Sequence, residues 1–535
     1  MPRGDRGTTF GPSRTSLDNA VSKGGQHCDG ANGEEEKARP GHYAPFGRPL
    51  YLSPPGFGAG LLASSGICRD DYSRLMIPAR LEPLLRADSP AGQLAALFRQ
   101  AGHELALVGG SVRDALLARP IDDLDFTTDA RPDRIKEIVE PWAHDLYLAG
   151  QRFGTIGAIR DGAVHEITTY RSEVYAEDSR KPDVAYSDDI AEDLGRRDFT
   201  INAMALRLDG EGSAVLFDPY NGVVDLAQKT LRTPLDPEIS FGDDPLRMLR
   251  LFRFLSTLGF APTEEALRAV AAMAERLEII SAERIRVELS KLLVGEHVAD
   301  ALWGLVETGL VDQFLPELTA LQLQHDPQQR HKDVLAHSIA VVAKTSPILE
   351  LRLAALLHDV GKPATRAFTP GGVTFHHHEV VGATMARYRM RELRFSSQET
   401  RDVGDLVFLH MRPHTFKMGW TDSAVRRYVR DAGPLLDLLN ELVRCDVTTR
   451  SERRARAIQR GIDELEERIA ELRKREELDA LRPPIDGHQA MAHLGWDPGP
   501  ELGKAMKMLL EHRIEHGPYS EEEAYRLLDE WTESE

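Results

Sequence analysis

From residue 236 onward the apolar residues recur at helical spacing, whereas between about 90 and 235 they fall in short runs closed by glycine or charge. A chain that changes period in this way asks for a small sheet first and packed helices after it. The expected class is therefore α+β. With 535 residues the chain has room for about two to four domains.

In the first part, ELALVGG (104–110) reads as a strand ending in a turn and SVRDALLA (111–118) as the helix after it. DDLDFTT (122–128), FGTIGAI (153–159) and HEITTYR (165–171) read as further strands. RRDFTINAMAL (196–206) reads as two arginines and an aspartate before a buried helix, and DPYNGVVDL (218–226) as a loop and turn. DPLRMLRLFRFLSTLGF (244–260) is amphipathic, with Leu246, Leu249, Phe252, Phe254 and Leu255 towards one face and Gly259 near its end. AERIRVELSKLLVG (282–295) is a second such helix, and 334–450 is a further helical block. Residues 451–480 form a long charged helix with a thin apolar seam, read as a solvated helix in preference to a coiled-coil arm or a lid over RNA. No repeat at a fixed period is visible.

Residues 1–75 are rich in Gly, Ser, Pro and charge and are expected to be disordered. Met76 is a candidate true start, which would make the leader a gene-model extension. The N-terminus lacks the apolar core of a signal peptide, and no run of about 18 apolar residues predicts a membrane span. Three distant cysteines, Cys28, Cys68 and Cys445, make neither a disulfide framework nor a zinc motif. A reducing cytoplasm is the expected setting. The net charge of -19 argues against a general nucleic-acid coat while leaving room for a local basic groove.

Chemistry-bearing residues gather in two sets. On a strand, residues two apart face the same side, so Asp123 and Asp125 are expected to project together, about 6.5–7 Å apart. Such neighbours repel unless a cation sits between them. Magnesium takes hard oxygen ligands and leaves positions for substrate phosphates, and a pair of such ions can hold the attacking and leaving oxygens of one phosphorus. Gly109 and Gly110 let backbone N–H groups approach a triphosphate at the start of a helix, within reach of Arg113. Glu166 reads equally as a third carboxylate or as a surface residue. Asp244, Arg247 and Arg250 recur every three residues, with Arg253 extending the row. They form either a stripe for phosphate or a base edge or a solvated face with salt bridges.

The second set is His337, the adjacent pair His358 and Asp359 in LAALLHDVGKP, His378, His410 and Asp446. Histidine and carboxylate together suit a divalent metal, and a His-Asp pair at the end of an apolar helix needs partners once buried. The arginines that follow, 450, 453, 454, 456 and 460, read equally as a phosphate-contact surface or as ion pairs along one helix.

GGSVRD, DDLD, RRDFTINAMA, DPYNG..DL and DDPLRMLR, in this order over about residues 90–330, resemble the motif set of the bacterial CCA-adding tRNA nucleotidyltransferases and their poly(A) polymerase relatives, in the DNA polymerase β-like superfamily. The resemblance implies that Asp123 and Asp125 ligate magnesium, that Gly110, Arg113 and Arg197 meet the nucleotide, and that Asp244 and Arg247 read the edge of an incoming C or A, supported by Arg250 and Arg253. Asp243 stands where the family often has Glu, and residues 281–293 resemble the helix that braces the site. The histidine set resembles the HD superfamily of metal-dependent phosphohydrolases. It implies His337, His358, Asp359 and Asp446 as ligands, His378 and His410 as a second-metal pair, and RNA ends bearing phosphate or cyclic phosphate as substrates.

The implied organisation is a leader (1–75), a mixed-sheet nucleotidyltransferase head (76–235), a helical neck (236–330), an all-α HD domain (331–450), and a charged helix with a helical tail (451–535). The implied partners are the 3′ end of tRNA, CTP and ATP, with no membrane and no protein partner inferred. Poly(A) addition, addition of CC or A alone, and a silent RNA-binding protein on the same fold are the alternatives.

Overall fold

The computed structural model describes residues 82–534 except 122, 175–182, 323–333, 370–371, 448–451 and 477–480. The leader, the candidate start at Met76, Asp122, His331 and Arg450 lie outside the described residues.

The first part is built on strands β1 (Ala106–Val108), β2 (Asp125–Thr128), β3 (Asp145–Tyr147), β4 (Thr155–Arg160), β5 (Ala163–Thr169), β6 (Arg171–Val174), β7 (Asp183–Tyr186), β8 (Ala205–Leu208) and β9 (Ala214–Phe217). Seven of them form one mixed sheet in the order β3-β4-β5-β2-β1-β8-β9. β2 and β5 run parallel, and the other neighbours are antiparallel. β6 and β7 make a separate ribbon. One face buries Phe126, Ile156 and Ile167 against Leu94 and Phe98 of the Pro90–Gln100 helix and Ile135 and Val139 of the Pro132–Val139 helix. The other face is covered over β1 and β8 by the Ile190–Gly195 helix, whose Ile190 and Leu194 pack on Ala106, Val108 and Ala205.

Beyond residue 236 the chain is helical, as its period predicts. The Leu246–Leu258 helix stops at Gly259, whose φ of 69° a side chain would resist. It packs against Ala282–Leu293 and Val298–Glu307 in one core with Leu249, Phe252, Leu289 and Leu302. A small satellite core of Ala490, Ala505, Leu509 and Leu528 holds the tail helices Gly487–Leu494, Pro500–His516 and Glu521–Ser534. Among the described residues no helix is long and apolar enough to cross a membrane.

Four expectations need correction. The segment 196–206 is not a helix: a 3₁₀ turn at Thr200–Asn202 leads into β8, which pairs with β1. Long-range strand pairing satisfied a backbone whose short apolar run fits either state. The segment 218–226 is more than a loop, because Asp218 accepts the N–H groups of Gly222 and Val223 at 2.7 and 2.9 Å and starts a helix, Gly222–Gln228. The HD region carries a hairpin, Ala367–Thr369 with Gly372–Thr374, and so is not purely helical. The charged helix Glu452–Glu476 is not simply solvated: Ile462, Leu465, Ile469 and Leu472, spaced by three and four, are buried in the main core. Of the arginines near its start, Arg456 pairs with Glu452 one turn earlier at 2.7 Å.

Candidate active site and candidate metal centre

β1 delivers the chain to Gly109, which adopts φ 75° and ψ −133° before the helix Gly110–Leu116. A side chain at Gly109 would be strained there, and its Cβ would stand 3.2 Å from Arg197 Nη1. The two glycines thus open a cleft of about 540 Å³. Gly109, Gly110, Arg113, Asp125, Arg197, Asp244, Arg247, Arg250 and Arg253 all line it, so residues spread over 145 positions of sequence meet in one place.

Asp125 opens β2 and lies in register with Glu166 on parallel β5, so the two carboxylates share a sheet face. Asp123 falls in the loop before β2 and is exposed, not on the strand as its spacing suggested. Loss of water raises the Asp125 carboxyl above its usual value; Arg197 opposes this and Asp123 adds to it. Glu166 is raised by the same desolvation, then by Asp125 and Asp123. Negative charge from Asp123 thus bears on both Asp125 and Glu166, and a divalent cation among the three carboxylates would relieve that repulsion.

The cationic wall is one connected network. Arg113 Nη1 donates to Asn202 Oδ1 at 2.6 Å, and Asn202 Nδ2 donates to Asp198 Oδ1 at 2.8 Å. Arg250 donates to Asp198 Oδ2 through Nε and Nη2 at 2.9 and 2.6 Å, and through Nη1 to Glu288 Oε1 at 3.0 Å. Glu288 Oε2 meets Arg253 Nε at 2.8 Å. Burial alone would raise Asp198, but Arg250 beside it holds the carboxyl far below its usual range. Burial, then Arg250, pushes Arg253 down to about 10. The guanidinium carbons of Arg113, Arg250 and Arg253 lie 5.3, 5.5 and 3.9 Å from the centre of the Phe254 ring. Asn202, Glu288 and Phe254 had no place among the expected site residues. Asp198 was visible only as the acid after two arginines, and Phe254 was read as part of an apolar face.

Asp244 and Arg247 depart from the expected stripe. Asp244 precedes Pro245, which forces extended backbone (φ −136°, ψ 99°), and it stands between two helices instead of on one. Its carboxylate accepts the Leu246 N–H at 3.1 Å and Arg284 Nη2 at 2.8 Å. Arg247 Nη1 donates to the carbonyl and hydroxyl of Ser240, each at 3.0 Å, and Nη2 to the Arg196 carbonyl. Both side chains are held by protein while they line the cleft.

The histidine set converges as well. The ligand atoms of His337, His358 and Asp446, and those of Asp359, His378 and His410, lie within 4.8 Å of one another in each group. Asp359 joins the groups: Oδ2 is 3.2 Å from His358 Nε2, and Oδ1 is 3.5 Å from His378 Nε2. Nδ1 of His358, His378 and His410 faces the carbonyl of Ala355, Phe375 and Val407 at 2.8, 2.9 and 2.7 Å. A carbonyl only accepts, so each Nδ1 carries hydrogen and each Nε2 faces the interior of the cluster. The Nε2 atoms of His378 and His410 stand 3.3 Å apart, as do those of His358 and His337. Burial would lower His358, but Asp359 and Asp446 push it up to about 10, so this cavity favours positive charge. Burial, then His358, pushes His410 down to about 3, which keeps it neutral. The donor set fits two divalent metal ions sharing Asp359.

Comparison with known proteins finds relatives for the regions that carry both sites. Residues 105–232 match the poly A polymerase head domain, 259–322 the probable RNA and SrmB-binding site of polymerase A, and 334–450 the HD domain. The chain is 42% identical over 222 residues to the CCA-adding enzyme of Anoxybacillus flavithermus, covering 41% of this chain and 54% of that one. It spans about half the length of the CCA-adding relatives it matches in this way. It is 34% identical over 444 residues to the A-adding tRNA nucleotidyltransferase of Deinococcus radiodurans, covering 80% of this chain and 95% of that one. The fold is also that of the Bacillus stearothermophilus CCA-adding enzyme solved with CTP (TM-score 0.59, 24% identity, 83% of this chain and 97% of that one). The chain belongs to the tRNA nucleotidyltransferase and poly(A) polymerase family, and it carries an HD domain.

Proposed function

We propose that this protein adds CCA to the 3′ end of tRNA from CTP and ATP without a nucleic-acid template. The observation that carries the proposal is the single cleft in which Asp125 faces Gly109, Gly110 and an arginine network. The tRNA 3′-hydroxyl loses its proton and bonds to the α-phosphorus, while the bond to pyrophosphate breaks. Asp123, Asp125 and Glu166 would hold magnesium, which supplies stabilisation of the attacking and leaving oxygens. Arg113 and Arg197 meet the triphosphate, and Asp244 and Arg247, held in place by Arg284 and Ser240, present their edges to the base. Arg250 and Arg253 support them through Asp198 and Glu288. In this reading residues 76–235 are the catalytic head, 236–330 the nucleotide- and RNA-binding neck, 331–450 the HD domain and 451–535 the charged helix and tail. A cytoplasmic setting goes with such a substrate.

Purified protein, magnesium and labelled nucleotides incubated with tRNA lacking CCA test the proposal at single-nucleotide resolution. Addition that stops after C, C and A supports it, and a long A tail points instead to poly(A) polymerase. Absence of any addition, with the fold intact, overturns it. A second reading, addition of the terminal A alone, is favoured by the A-adding relative matched over 95% of its length. Under that reading only tRNA already ending in CC is extended, and only by ATP.

For the HD centre we propose hydrolysis of phosphate or 2′,3′-cyclic phosphate at RNA ends. His337, His358, Asp359 and Asp446 would hold one divalent ion, and His378 and His410 a second with Asp359. Release of phosphate from an RNA 3′-phosphate, lost in His358→Ala, is the expected result.

A further inference from the structure

The sheet face that carries Asp125 and Glu166 has two unlike sides. Over β1 and β8 it is covered by the Ile190–Gly195 helix, and the cleft of Gly110, Arg113 and Arg197 opens beside Asp125. Over β5, β4 and β3 no described residue covers Glu166, Val164 or Tyr147, which stand exposed. Register runs Asp125, Glu166, Gly157, Tyr147 straight across β2, β5, β4 and β3, so these positions share one face. Tyr147 is 55% exposed, and Val164, two residues before Glu166 on the same face, is 46% exposed.

Gly157 accounts for the pose of the tyrosine. A Cβ there would stand 3.1 Å from Tyr147 Cβ and 3.5 Å from its Cδ1, so the missing side chain leaves the notch in which the ring lies. Two strand spacings put Tyr147 roughly 10 Å from Glu166, a separation that one nucleotide bridges. Transfer at phosphorus brings the acceptor hydroxyl in line with, and opposite to, the leaving pyrophosphate. The arginine cleft takes one side of the carboxylates, and the open face is the other. Asp145, two residues before Tyr147 on the same face, disfavours a phosphate there and leaves a base as the suitable group.

We propose that Tyr147, laid over Gly157, is the stacking platform for the 3′-terminal base of the RNA acceptor. The proposal rests on the nucleotidyl-transfer reading above. An aromatic ring accepts any base, which suits a terminus that changes with each addition.

The test compares wild type, Tyr147→Ala and Tyr147→Phe on tRNA lacking CCA, with its 3′-terminal nucleotide either intact or abasic. Tyr147→Ala should raise KM for the intact acceptor about tenfold, the scale of one base–aromatic stack, and leave the directly measured Kd for CTP unchanged. Tyr147→Phe should behave as wild type. The abasic terminus should cost the wild type the same factor and cost Tyr147→Ala nothing more. An aromatic ring across a glycine can also serve only to stiffen a sheet. In that case the losses from variant and abasic terminus multiply, or Tyr147→Ala matches wild type on the intact acceptor, and either result overturns the proposal. Should Tyr147→Ala not fold, wild type that extends abasic and intact acceptors equally well overturns it without the variant. Wild type that extends no acceptor overturns the nucleotidyl-transfer reading itself, and this one with it.

Discussion

Asp198 accepts two hydrogen bonds from Arg250 through one carboxylate oxygen, at 2.9 and 2.6 Å, and so fixes the plane of a guanidinium that lines the cleft beside Asp125. Glu288 holds the far edge of that guanidinium. Arg250 is therefore positioned from a loop and from a second helix at once.

Asp198→Asn keeps the shape and removes the charge. Breaking a buried ion pair costs about 3–5 kcal/mol when the partner is left uncompensated; Glu288 remains beside Arg250, so the lower end applies. The expected outcome is a lowered midpoint in urea unfolding together with a rise in KM for CTP and ATP. Wild-type nucleotide KM in a destabilised variant would show that the pair serves stability alone.

Phe254 lies against Arg113, Arg250 and Arg253. A guanidinium over an aromatic face contributes about 0.5–2 kcal/mol, so Phe254→Leu should weaken nucleotide affinity by roughly two- to thirtyfold. Affinity for tRNA should be unaffected, because the ring orders only the nucleotide wall. Separate titrations of nucleotide and tRNA distinguish the two.

The residues proposed to hold chemistry stood out in the sequence by their types and spacing. The His358–Asp359 pair follows an apolar helix and needs partners once buried, and the acids of DDLDFTT crowd like charges within a few residues. What could not be read was the set of long-range partners. Phe254 sits at a helical core spacing and looks like filler; only the approach of Arg113 from another element makes it part of the site. The apolar stretch through Met204 and Leu206 suits helix or strand, and pairing with β1 decided it. The seam of the 452–476 helix is visible as Ile462, Leu465, Ile469 and Leu472, but that it is covered depends on helices elsewhere in the chain. Asp244 shows the reverse: Pro245 beside it was a local signal for extended backbone, and helical spacing outweighed it in the reading.

The HD donor set should bind metal whether or not it turns over. Facing Nε2 atoms 3.3 Å apart, with their Nδ1 atoms committed to carbonyls, are costly without positive charge between them. After chelation, adding back manganese or nickel should raise the melting temperature of the wild type. Asp359→Ala, which removes the carboxylate shared by both groups, should lose most of that rise. Equal rises in the two proteins would place the bound metal elsewhere.

The tail is fastened to the body by a buried carboxylate. Glu476 receives Arg426 Nε and Nη2 at 2.7 and 2.9 Å, and Arg513 on the Pro500–His516 helix donates to its carboxylate through Nη1 at 3.4 Å and to its carbonyl through Nη2 at 2.8 Å. The hydrogen bond from Arg426 lowers the Glu476 carboxyl below its usual value, against the effect of burial. A carboxylate lowered in the folded state stabilises fully above its unfolded value of about 4.3 and loses that contribution as pH falls through the folded value. Hydrogen exchange in the Pro500–His516 helix should therefore be slow at pH 7, after correction for the intrinsic rate, and lose protection below about pH 4. Glu476→Gln should show the faster exchange already at pH 7 and add little further loss in acid. Tail protection that falls with pH as steeply in Glu476→Gln as in wild type would assign the acid sensitivity to other groups.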